Sequence, residues 1–552
     1  MTRQLPRAVI GPTLILALVL GLVQTQAQAR PIKLNAPLGL DETVADNPFW
    51  APEVNFLHAS PDGKWVVYHT AINDDWYEYF IVPAAGGRAQ PLYPLDDYIG
   101  GGGVFNSDSQ WWVGSAMSRY GGYGIYSRPI PIGRGDPIQL TPPGLARAPD
   151  FTLSSDGRRV LYLLDANGTG LDELYSVPVS GGEIIKLNPP LPEEQEVTRY
   201  LVSADGARVA FIVGGGEPIR NSVIYSVSTT GGVPVVLHDA GTPTVLSLQA
   251  VVGDDSRVIY SVSGDGLYGV PIEGGPPVLI YSYASSGAAG WRQTPVLIDP
   301  VYPSARYSAD GRWRVFLVEN SDYVSSTHDV YSISLVDGTR RQLNLPGMAA
   351  DDHFLITPDS SRVLFTARSP DGTGWYLYSV PPSGGDIENL GGMRVQYNFG
   401  RILSYFEITP DSSRAVGYFV INGDCRLASV CTTAGTPVVL NPTGMGAFYL
   451  TSDSKHVVFH SLLPPHEDKS NIYAVPVGGG RPRRLSELGA GQSVSGYCIL
   501  TPNGRRVLYT VEQPDGETVE LFSNTIRQAC LPQGLLLNEP AEEAPADEEV
   551  RP

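Results

Sequence analysis

The chain has 552 residues, more than one ordinary hydrophobic core organises, so several domains or an additive repeat architecture is expected. It contains 61 Gly, 47 Pro and 29 Tyr but only 17% charged residues, and its short apolar runs between turn residues favour an all-β fold. A net charge of −19 without a run of Lys and Arg argues against nucleic acid or anionic lipid as partners.

The first 29 residues have the pattern of a secretory signal peptide. Arg3 and Arg7 give a basic start, residues 8–23 are almost wholly apolar, and "AQA" at 27–29 supplies the small residues of a cleavage site. No later segment approaches eighteen consecutive apolar residues, so we expect no integral membrane segment. The sequence therefore predicts an exported protein, periplasmic or extracellular, that begins near Arg30.

From residue 54 onward an aspartate motif recurs through the chain. "SPDGKWVVY" is its first copy, "ITPDSSR" occurs twice letter for letter, and ten copies follow one another at spacings of 42 to 56 residues. A Tyr run such as "LYSVPVSGG", ending in Gly-Gly, and a further short apolar run follow many copies of the motif. Each period thus contains four strand-sized runs without a helical pattern, which predicts one blade of a β-propeller.

These motifs resemble the WD40-like PD40 repeats of TolB-type propellers, over residues 54–537. The same repeat type resembles the propeller domains of prolyl-oligopeptidase-type serine peptidases. The resemblance implies a propeller and names no function. TolB is expected to carry an α/β domain ahead of its propeller, whereas here only residues 30–53 lie between the predicted cleavage site and the first blade. The G-x-S-x-G elbow of the peptidases is absent from this sequence.

Ten motifs can close as one ring or as two smaller propellers divided near residues 281–307. We favour one ring, because "PIKLNAP" at 31–37 resembles the fourth strand of a blade and could join the last blade as a closing strand. "GLLLNEP" at 534–540 could fill the same place. Residues 538–552 are acidic and Pro-rich and are predicted to form a disordered tail.

The recurring aspartate is interpreted as a turn residue rather than as a catalytic or metal-binding group. It recurs at the same hairpin in every blade, whereas a catalytic pair occurs once and converges in space. Its side chain is expected to accept a hydrogen bond from the backbone N–H two residues on, and the Gly that often follows can adopt a left-handed conformation. Where Ser follows, the turn should differ in type or be strained. The predicted structural turn residues are Asp62, Asp156, Asp205, Asp310, Asp359, Asp411, Asp453 and Asn503.

Few residues suggest chemistry outside this motif. Asp165, Asn167 and Asp172 in "DANGTGLDE" are a weak calcium candidate, although a similar Gly-Thr-Gly recurs at the same point of another repeat. His456 and His460 lie on one face of a predicted strand, where packing is the preferred interpretation over zinc ligation. No catalytic residue, cofactor site or other metal site is assigned.

Two further features leave alternatives open. The acidic pairs at 74–75, 96–97 and 351–352 are placed in loops, and the aromatic loop around Trp76 is the most ligand-like of these. Cys425, Cys431, Cys498 and Cys530 permit disulfides, but Cys425 and Cys431 could pair only if a turn separates them.

We therefore expect an exported, monomeric propeller that binds a protein, peptide or glycan through its loops or central channel. The alternative is a propeller-type enzyme such as a carbohydrate lyase or glycoside hydrolase. The fold hosts both kinds of function and does not choose between them.

Overall fold

The structure, a computed structural model, describes residues 31–35, 54–73, 76–93, 98–118, 122–133, 136–145, 147–215, 222–239, 246–253, 257–282, 305–319, 328–393, 395–398, 401–441, 446–461, 470–514 and 519–526. All the regular elements in these ranges are β-strands, as the all-β prediction requires. None of these residues forms a helix long and apolar enough to cross a membrane. The predicted signal peptide, the acidic pair at 74–75, Cys530 and the predicted tail lie outside the described ranges.

The described strands group into four-stranded antiparallel blades, numbered 1 to 10 along the chain, and the first strand of the chain is β1 (Ile32–Lys33). The strands of blades 1 to 5 are β2 (Val54–Ala59), β3 (Trp65–Asn73), β4 (Trp76–Pro83) and β5 (Gln90–Pro91); β6 (Tyr98–Phe105), β7 (Trp111–Ser118), β8 (Gly122–Pro129) and β9 (Ile138–Gln139); β10 (Phe151–Leu153), β11 (Arg159–Leu164), β12 (Glu173–Pro178) and β13 (Ile185–Lys186); β14 (Glu196–Val202), β15 (Arg208–Gly214), β16 (Val223–Ser228) and β17 (Val235–Asp239); β18 (Leu246–Val252), β19 (Arg257–Val262), β20 (Gly266–Pro271) and β21 (Val278–Ser282).

Blades 6 to 10 follow the same plan, with one additional hairpin between blades 7 and 8. Their strands are β22 (Ala305–Tyr307), β23 (Trp313–Glu319), β24 (His328–Ser334) and β25 (Arg340–Gln342); β26 (Ala349–Ile356), β27 (Val363–Arg368), β28 (Trp375–Val380) and β29 (Glu388–Gly392); the hairpin β30 (Val395–Asn398) and β31 (Arg401–Ser404); β32 (Phe406–Ile408), β33 (Arg414–Ile421), β34 (Asp424–Cys431) and β35 (Val438–Asn441); β36 (Phe448–Leu450), β37 (His456–Ser461), β38 (Asn471–Pro476) and β39 (Arg483–Arg484); β40 (Ser493–Leu500), β41 (Arg506–Glu512) and β42 (Val519–Thr525).

Eight of these blades are separate four-stranded sheets, and blades 6 and 7 are joined into one eight-stranded sheet. The junction is a single residue pair, His328 with Ala350, so the two blades remain distinct units. One face of each blade packs against the preceding blade, and the other face packs against the following blade. A buried apolar cluster lies at every seam between neighbouring blades, from blade 1 round to blade 10. This is the arrangement of a β-propeller.

The blades close as one ring. Two five-bladed rings would require blade 5 to pack on blade 1, and blade 10 on blade 6. Instead Ile259 of blade 5 packs with Leu335 of blade 6, and the Arg257 guanidinium donates a hydrogen bond to the Leu335 carbonyl at 2.9 Å. Leu508 of blade 10 packs with Val66 of blade 1. The single ring favoured from the sequence is therefore the observed arrangement.

Strand β1 occupies the place of the fourth strand in blade 10. It pairs antiparallel with β42, with Ile32 opposite Ser523. Leu34 is 1% exposed and its N–H donates to the Leu521 carbonyl at 2.9 Å, while the Asn35 side chain accepts the Leu521 N–H at 2.9 Å. Blade 10 is therefore built from β40, β41 and β42 near the C-terminal end of the described chain and from β1 near its N-terminal end. Residues 534–540 are not needed as its fourth strand.

The first strand of each blade lies nearest the ring axis, because Cα atoms of neighbouring first strands approach within 8 Å, as for β2 and β40, β14 and β18, and β22 and β26. Since consecutive strands run in opposite directions, the turns after first and third strands share one face of the ring. This face, which carries the aspartate motifs and the Gly-Gly turns, is called the motif face. The connections after second and fourth strands form the opposite, loop face.

Candidate functional site

The aspartate motif forms a hydrogen-bonded turn in every blade in which it is described. The backbone N–H two residues on donates to the side-chain Oδ1 atom at 2.8 to 3.1 Å. The residues that accept this bond are Asp62, Asp108, Asp156, Asp205, Asp310, Asp359, Asp411, Asp453 and Asn503. These side chains therefore hold their own hairpins, as Asx turns do.

The residue after the aspartate is left-handed whether it is Gly or Ser. Gly63 and its equivalents have φ of 66° to 74°, and Ser109, Ser360, Ser412 and Ser454 have φ of 60° to 65°. For the turns in which Ser follows the aspartate, the sequence allowed either a different turn type or a strained backbone. The structure shows the same turn type with a strained, left-handed Ser backbone. The serine hydroxyl offsets this cost by accepting the aspartate N–H of the preceding blade, for instance Asp310 to Ser360 at 3.1 Å.

The arginine that ends the motif is also engaged in the ring. In blade 7 the Arg362 Nε atom donates to the Ser379 hydroxyl at 2.8 Å, and this hydroxyl donates to the Thr432 carbonyl of blade 8 at 2.6 Å. Arg414 and Ser429 repeat the arrangement one blade further on. The polar groups of "ITPDSSR" thus connect neighbouring blades, and the motif has no side chain left over for chemistry.

The calcium candidate is a loop that its own backbone satisfies. The Asp165 carboxylate accepts the backbone N–H groups of Gly170 at 2.7 Å and Thr169 at 2.9 Å, and these bonds lower the pKa of the carboxyl. The backbone N–H of Asp172 donates to the Glu196 carboxylate at 3.4 Å. The described residues contain no group of three His, Cys, Asp or Glu side chains placed to bind a metal.

The acidic pairs divide by position. Asp351 and Asp352 lie on strand β26 rather than in the loop expected from the sequence, because this first strand begins earlier than its apolar run. Asp351 is buried and accepts the His353 N–H at 3.0 Å, and Asp352 lies 3.1 Å from the Nδ1 atom of His328. The acidic pairs at 74–75 and 96–97 lie outside the described residues.

The cysteines that the structure describes form no disulfide with one another. Cys425 and Cys431 both lie on the single strand β34, so the turn that would let them pair is absent from this strand. Cys498 is buried on β40, in a different blade.

A group of side chains that the sequence analysis did not single out lies along the first strands of four consecutive blades. We call it the axial cluster; it comprises Arg306 of blade 6, His353 of blade 7, Glu407 of blade 8 with Tyr405 directly before its first strand, and Tyr449 of blade 9. His353 is positioned by a β-bulge, since the register of β26 with β27 shifts between Ala350 and Phe354. Bulges of this kind often redirect side chains next to functional sites.

Arg306 and His353 form one end of the axial cluster. The Arg306 guanidinium is 5.8 Å from the centre of the Phe354 ring of the next blade. The His353 ring packs edge-on against Phe406 at 4.8 Å and its Nε2 atom lies 3.3 Å from the Phe406 carbonyl oxygen. Burial lowers the pKa of His353, and the positive charge of Arg306 acts in the same direction. The charged form of the imidazole is therefore disfavoured, although the hydrogen bond with the Phe406 carbonyl acts in the opposite direction.

Glu407 and two tyrosines form the other end. The Tyr405 hydroxyl donates to the Glu407 carboxylate at 2.8 Å, and the Tyr405 side chain is 50% exposed. Burial raises the pKa of the Glu407 carboxyl, and the hydrogen bond from Tyr405 offsets this effect only in part. Burial also raises the pKa of Tyr449, to about 12, and Glu407 adds to that shift.

The direction of the Glu407 shift sets it apart from the turn carboxylates. Hydrogen bonds from Ser203 and from the Ala207 N–H lower the pKa of Asp205, and those from Ser369 and Thr373 lower the pKa of Asp371 to about 2. Among the described carboxyl groups with a resolved shift, Glu407 alone has a raised pKa. A carboxyl group of this kind, beside two tyrosines near the ring axis, can donate or accept a proton or bind a polar ligand.

The axial cluster had a partial signal in the sequence. Arg306, Glu407 and Tyr449 each lie four residues before a motif aspartate, where blades 2 to 5 carry apolar or small residues: Val104, Thr152, Leu201 and Ala250. A comparison of this position across the ten copies finds these three of the five residues, together with His58 of blade 1, which lies outside the four blades of the cluster. His353 lies outside that position because of its bulge, and no spacing rule indicates it.

The two histidines considered for zinc do not converge with other ligands among the described residues. His456 is buried at the motif-face end of β37, whereas His460 lies near the other end of the strand, with its ring 6.4 Å from that of Tyr449. Burial lowers the pKa of both rings. His460 thus borders the axial cluster, and His456 packs at the far end of its strand.

The fold and the site together define an all-β propeller of ten blades with a one-sided group of polar side chains near its axis. No protein-family model and no curated protein matches the chain. Solved structures that it resembles include an oligogalacturonate lyase in complex with manganese, with 13% identity and a TM-score of 0.34, covering 70% of this chain and 98% of that one.

An oligogalacturonate lyase from Vibrio parahaemolyticus is a second such structure, also with 13% identity and a TM-score of 0.34, covering 87% of this chain and 99% of that one. Similarity at this level carries no argument about activity. The description of this molecule as a propeller rests on its own sheets, seams and ring closure.

Proposed function

We propose that the protein is an exported binding propeller of the TolB-like, PD40-repeat type, which takes a peptide, protein or glycan ligand at the axial cluster. The observation that carries this proposal is the concentration of Arg306, His353, Tyr405, Glu407 and Tyr449 along four consecutive first strands. A specific site on a ring of similar blades requires side chains that differ from those repeated in the other blades. Here such side chains lie in blades 6 to 9, which form one arc of the ring.

The chemistry of the arc suits a ligand with both polar and flat or apolar surfaces. Tyr405 is half exposed and offers a ring face together with a hydroxyl that is already oriented by Glu407. Arg306 is exposed and supplies a positive charge that can pair with a carboxylate. Tyrosine and arginine are among the residues that most often dominate binding energy in protein interfaces.

The test compares wild-type protein with Arg306→Ala and Tyr405→Ala on a glycan array and on an immobilised peptide library. The matched control is Thr152→Ala, because Thr152 holds the same position in blade 3 as Arg306 does in blade 6. We expect each axial variant to lower the signal of the bound ligand at least about tenfold, the loss of one good hot-spot contact, and the control to retain it. Equal loss in Thr152→Ala, or no ligand on either surface, would contradict the proposal.

A second candidate is a carbohydrate-active enzyme, favoured by the raised pKa of Glu407 beside Tyr405. Such a carboxyl group could act as a general acid toward a glycosidic oxygen. Incubation with neutral and uronate-containing oligosaccharides would reveal new reducing ends for a hydrolase, or the ultraviolet absorbance of unsaturated products for a lyase. Activity that disappears in Glu407→Gln would establish this candidate, and binding without turnover would retire it.

A further inference from the structure

Basic side chains from three blades lie together on the motif face of this acidic protein. They come from the aspartate turns of blades 9, 10 and 1, from the start of the second strand of blade 10, and from the Gly-Gly turn and fourth strand of blade 9. We call them the basic patch, which comprises Lys64, Lys455, Arg481, Arg483, Arg505 and Arg506.

Contacts place five members of the patch near one another, and Arg481 lies two residues before Arg483, just ahead of strand β39. Burial lowers the pKa of His456 most; the Asp453 carboxylate opposes this effect, and Arg483 and Lys455 add to it, so both cations lie near this ring. Lys64, Arg505 and Arg506 line one open groove of about 480 Å³ at the seam of blades 10 and 1. Arg506 is the motif arginine of blade 10, and its guanidinium also donates to the Ser523 hydroxyl at 2.8 Å. Among the described residues that line the groove, Asp62 is the one carboxylate; its own turn holds it through hydrogen bonds, and it lies 3.0 Å from the Lys64 ammonium. Asp453, the turn aspartate of blade 9, is a second carboxylate of the patch and accepts the Lys455 N–H at 3.1 Å.

The described chain ends inside this patch. The N–H of Ile526, the last described residue, donates to the Arg505 carbonyl at 2.9 Å, and the Arg483 guanidinium donates to the Thr525 carbonyl at 3.4 Å. Strand β1 already fills the fourth-strand place of blade 10, so the chain beyond Ile526 is not required to complete the blade.

The sequence that follows is complementary to the patch in charge. Residues 539–549, here called the acidic segment, contain six carboxylates: Glu539, Glu542, Glu543, Asp547, Glu548 and Glu549. The dozen residues from 527 to 538 can span up to about 40 Å when extended, which allows the segment to reach the neighbouring blades. Attachment at Ile526 gives the segment a high effective concentration at the patch.

We propose that the acidic segment docks on the basic patch and covers the seam where the ring closes. The interaction is an electrostatic one between a carboxylate-rich segment of the chain and the six cations of the patch. It weakens as ionic strength rises, because exposed charge pairs are screened. This inference goes beyond the proposed function, since the axial cluster is formed by other residues on other strands.

The test uses the full chain and a chain truncated after Asn538. A fluorescent peptide with the sequence of residues 538–552 is titrated into each at about 25 mM and about 300 mM salt, a range over which screening changes strongly. We expect the peptide to bind the truncated chain at low salt, to lose that binding at high salt, and to bind the full chain at least about tenfold more weakly because the patch is occupied.

Two double variants of the truncated chain separate the patch from general charge. Arg481→Glu with Arg505→Glu should abolish peptide binding. Arg158→Glu with Arg312→Glu is the control, because Arg158 and Arg312 occupy the same turn position as Arg505 in distant blades and are also exposed. Thermal unfolding of both variants checks that they fold.

Any of three results with the peptide would overturn the proposal: no peptide binding to the truncated chain, equal binding to both chains, or equal loss in the control variant. A sulfated polysaccharide that binds the full and truncated chains equally well would also overturn it, by assigning the patch to an external polyanion. Binding of that polysaccharide only after truncation would support the docked segment, because removal of the segment would then expose the patch.

Discussion

The motif face and the ring axis use the same residue types for different purposes. On the motif face, aspartate, serine and arginine recur in blade after blade and are hydrogen bonded within their turns or to the next blade. Near the axis, Arg306, Glu407 and Tyr449 occupy positions that are apolar or small in blades 2 to 5. In this molecule repetition therefore marks structure, and departure from the repeat marks a candidate site.

The contrast has a simple mechanical basis. A ring of blades closes only if each seam is compatible with its neighbours, so residues that connect blades are constrained at every repeat. Exposed first-strand side chains such as Arg306 make few of these connections. They can change from blade to blade without opening the ring, and the bulge at His353 shows that even the backbone of a first strand can depart from the repeat.

The strongest destabilisation should come from breaking the ring that both regions share. Leu34→Ala removes a side chain that is 1% exposed and packs between blades 10 and 1. We expect a loss of about 3 to 5 kcal/mol in the free energy of unfolding, as for other buried leucines, measured by urea denaturation. Lys33→Ala is the control, because its surface ion pair with Glu520 is worth at most about 1 kcal/mol. Equal effects of the two changes would show that β1 does not close the ring.

A smaller loss is expected from the motif face. Asp359→Ala should cost about 0.5 to 1.5 kcal/mol and leave binding at the axial cluster unchanged. Most of the bonds lost are local, because the Asp359 backbone N–H, which donates to Ser412 of blade 8 at 2.9 Å, is retained. The carboxylate also forms a hydrogen bond with the Ser412 side chain, and this contact is lost. Urea denaturation and the ligand arrays measure the two effects. Loss of ligand binding at an unchanged melting temperature would contradict the structural interpretation of the motif.

The same residue predicts a pH dependence. Burial opposes ionisation of Asp359, but hydrogen bonds from Thr357 and Ser361 outweigh it and lower the pKa. A lowered pKa in the folded state contributes stability above the unfolded-state value, and this contribution is lost as pH falls through the folded-state value. The difference between wild type and Asp359→Ala should therefore shrink below about pH 4, as followed by urea denaturation at several pH values. A difference that grows on acidification would contradict the lowered pKa.

Glu407→Gln tests the axial side of the comparison, with the opposite sign. Because burial raises the pKa of Glu407, its charged form is disfavoured in the folded state, and stability is lost as pH rises through the raised pKa. The variant should be more stable than wild type near pH 7.5, and this difference should disappear below about pH 4. Glu183→Gln, at an exposed turn, is the control for the amide substitution itself in urea denaturation. A Glu407→Gln variant less stable than wild type at pH 7.5 would rule out the destabilised carboxylate.

The weakest effect concerns calcium. Since Asp165 already accepts two backbone N–H groups, we expect calorimetric titration with calcium after chelator treatment to give no heat of binding. A saturable heat that disappears in Asp165→Ala would instead identify residues 165–172 as a calcium loop and place a specific site on the loop face.

Much of the architecture followed from the sequence because it repeats. The ten motif copies, the four apolar runs per period and the likeness of residues 31–37 to a fourth strand indicate the blades and their closure, as local patterns that mostly recur many times. The candidate site was less accessible. Arg306, Glu407 and Tyr449 share a position relative to the motif, but only the curvature of the ring brings them together with His353 and Tyr405.

The blade, the turn and the number of repeats could be read from the chain alone, because they depend on interactions between residues close in sequence. The closure of the ring determines which residues of neighbouring blades lie next to each other across the seams. It joined Lys64 to Arg505, which are far apart in the chain, into a basic patch on a protein whose net charge is −19. Charge and chemistry at such a place depend on long-range packing, which composition and spacing do not contain.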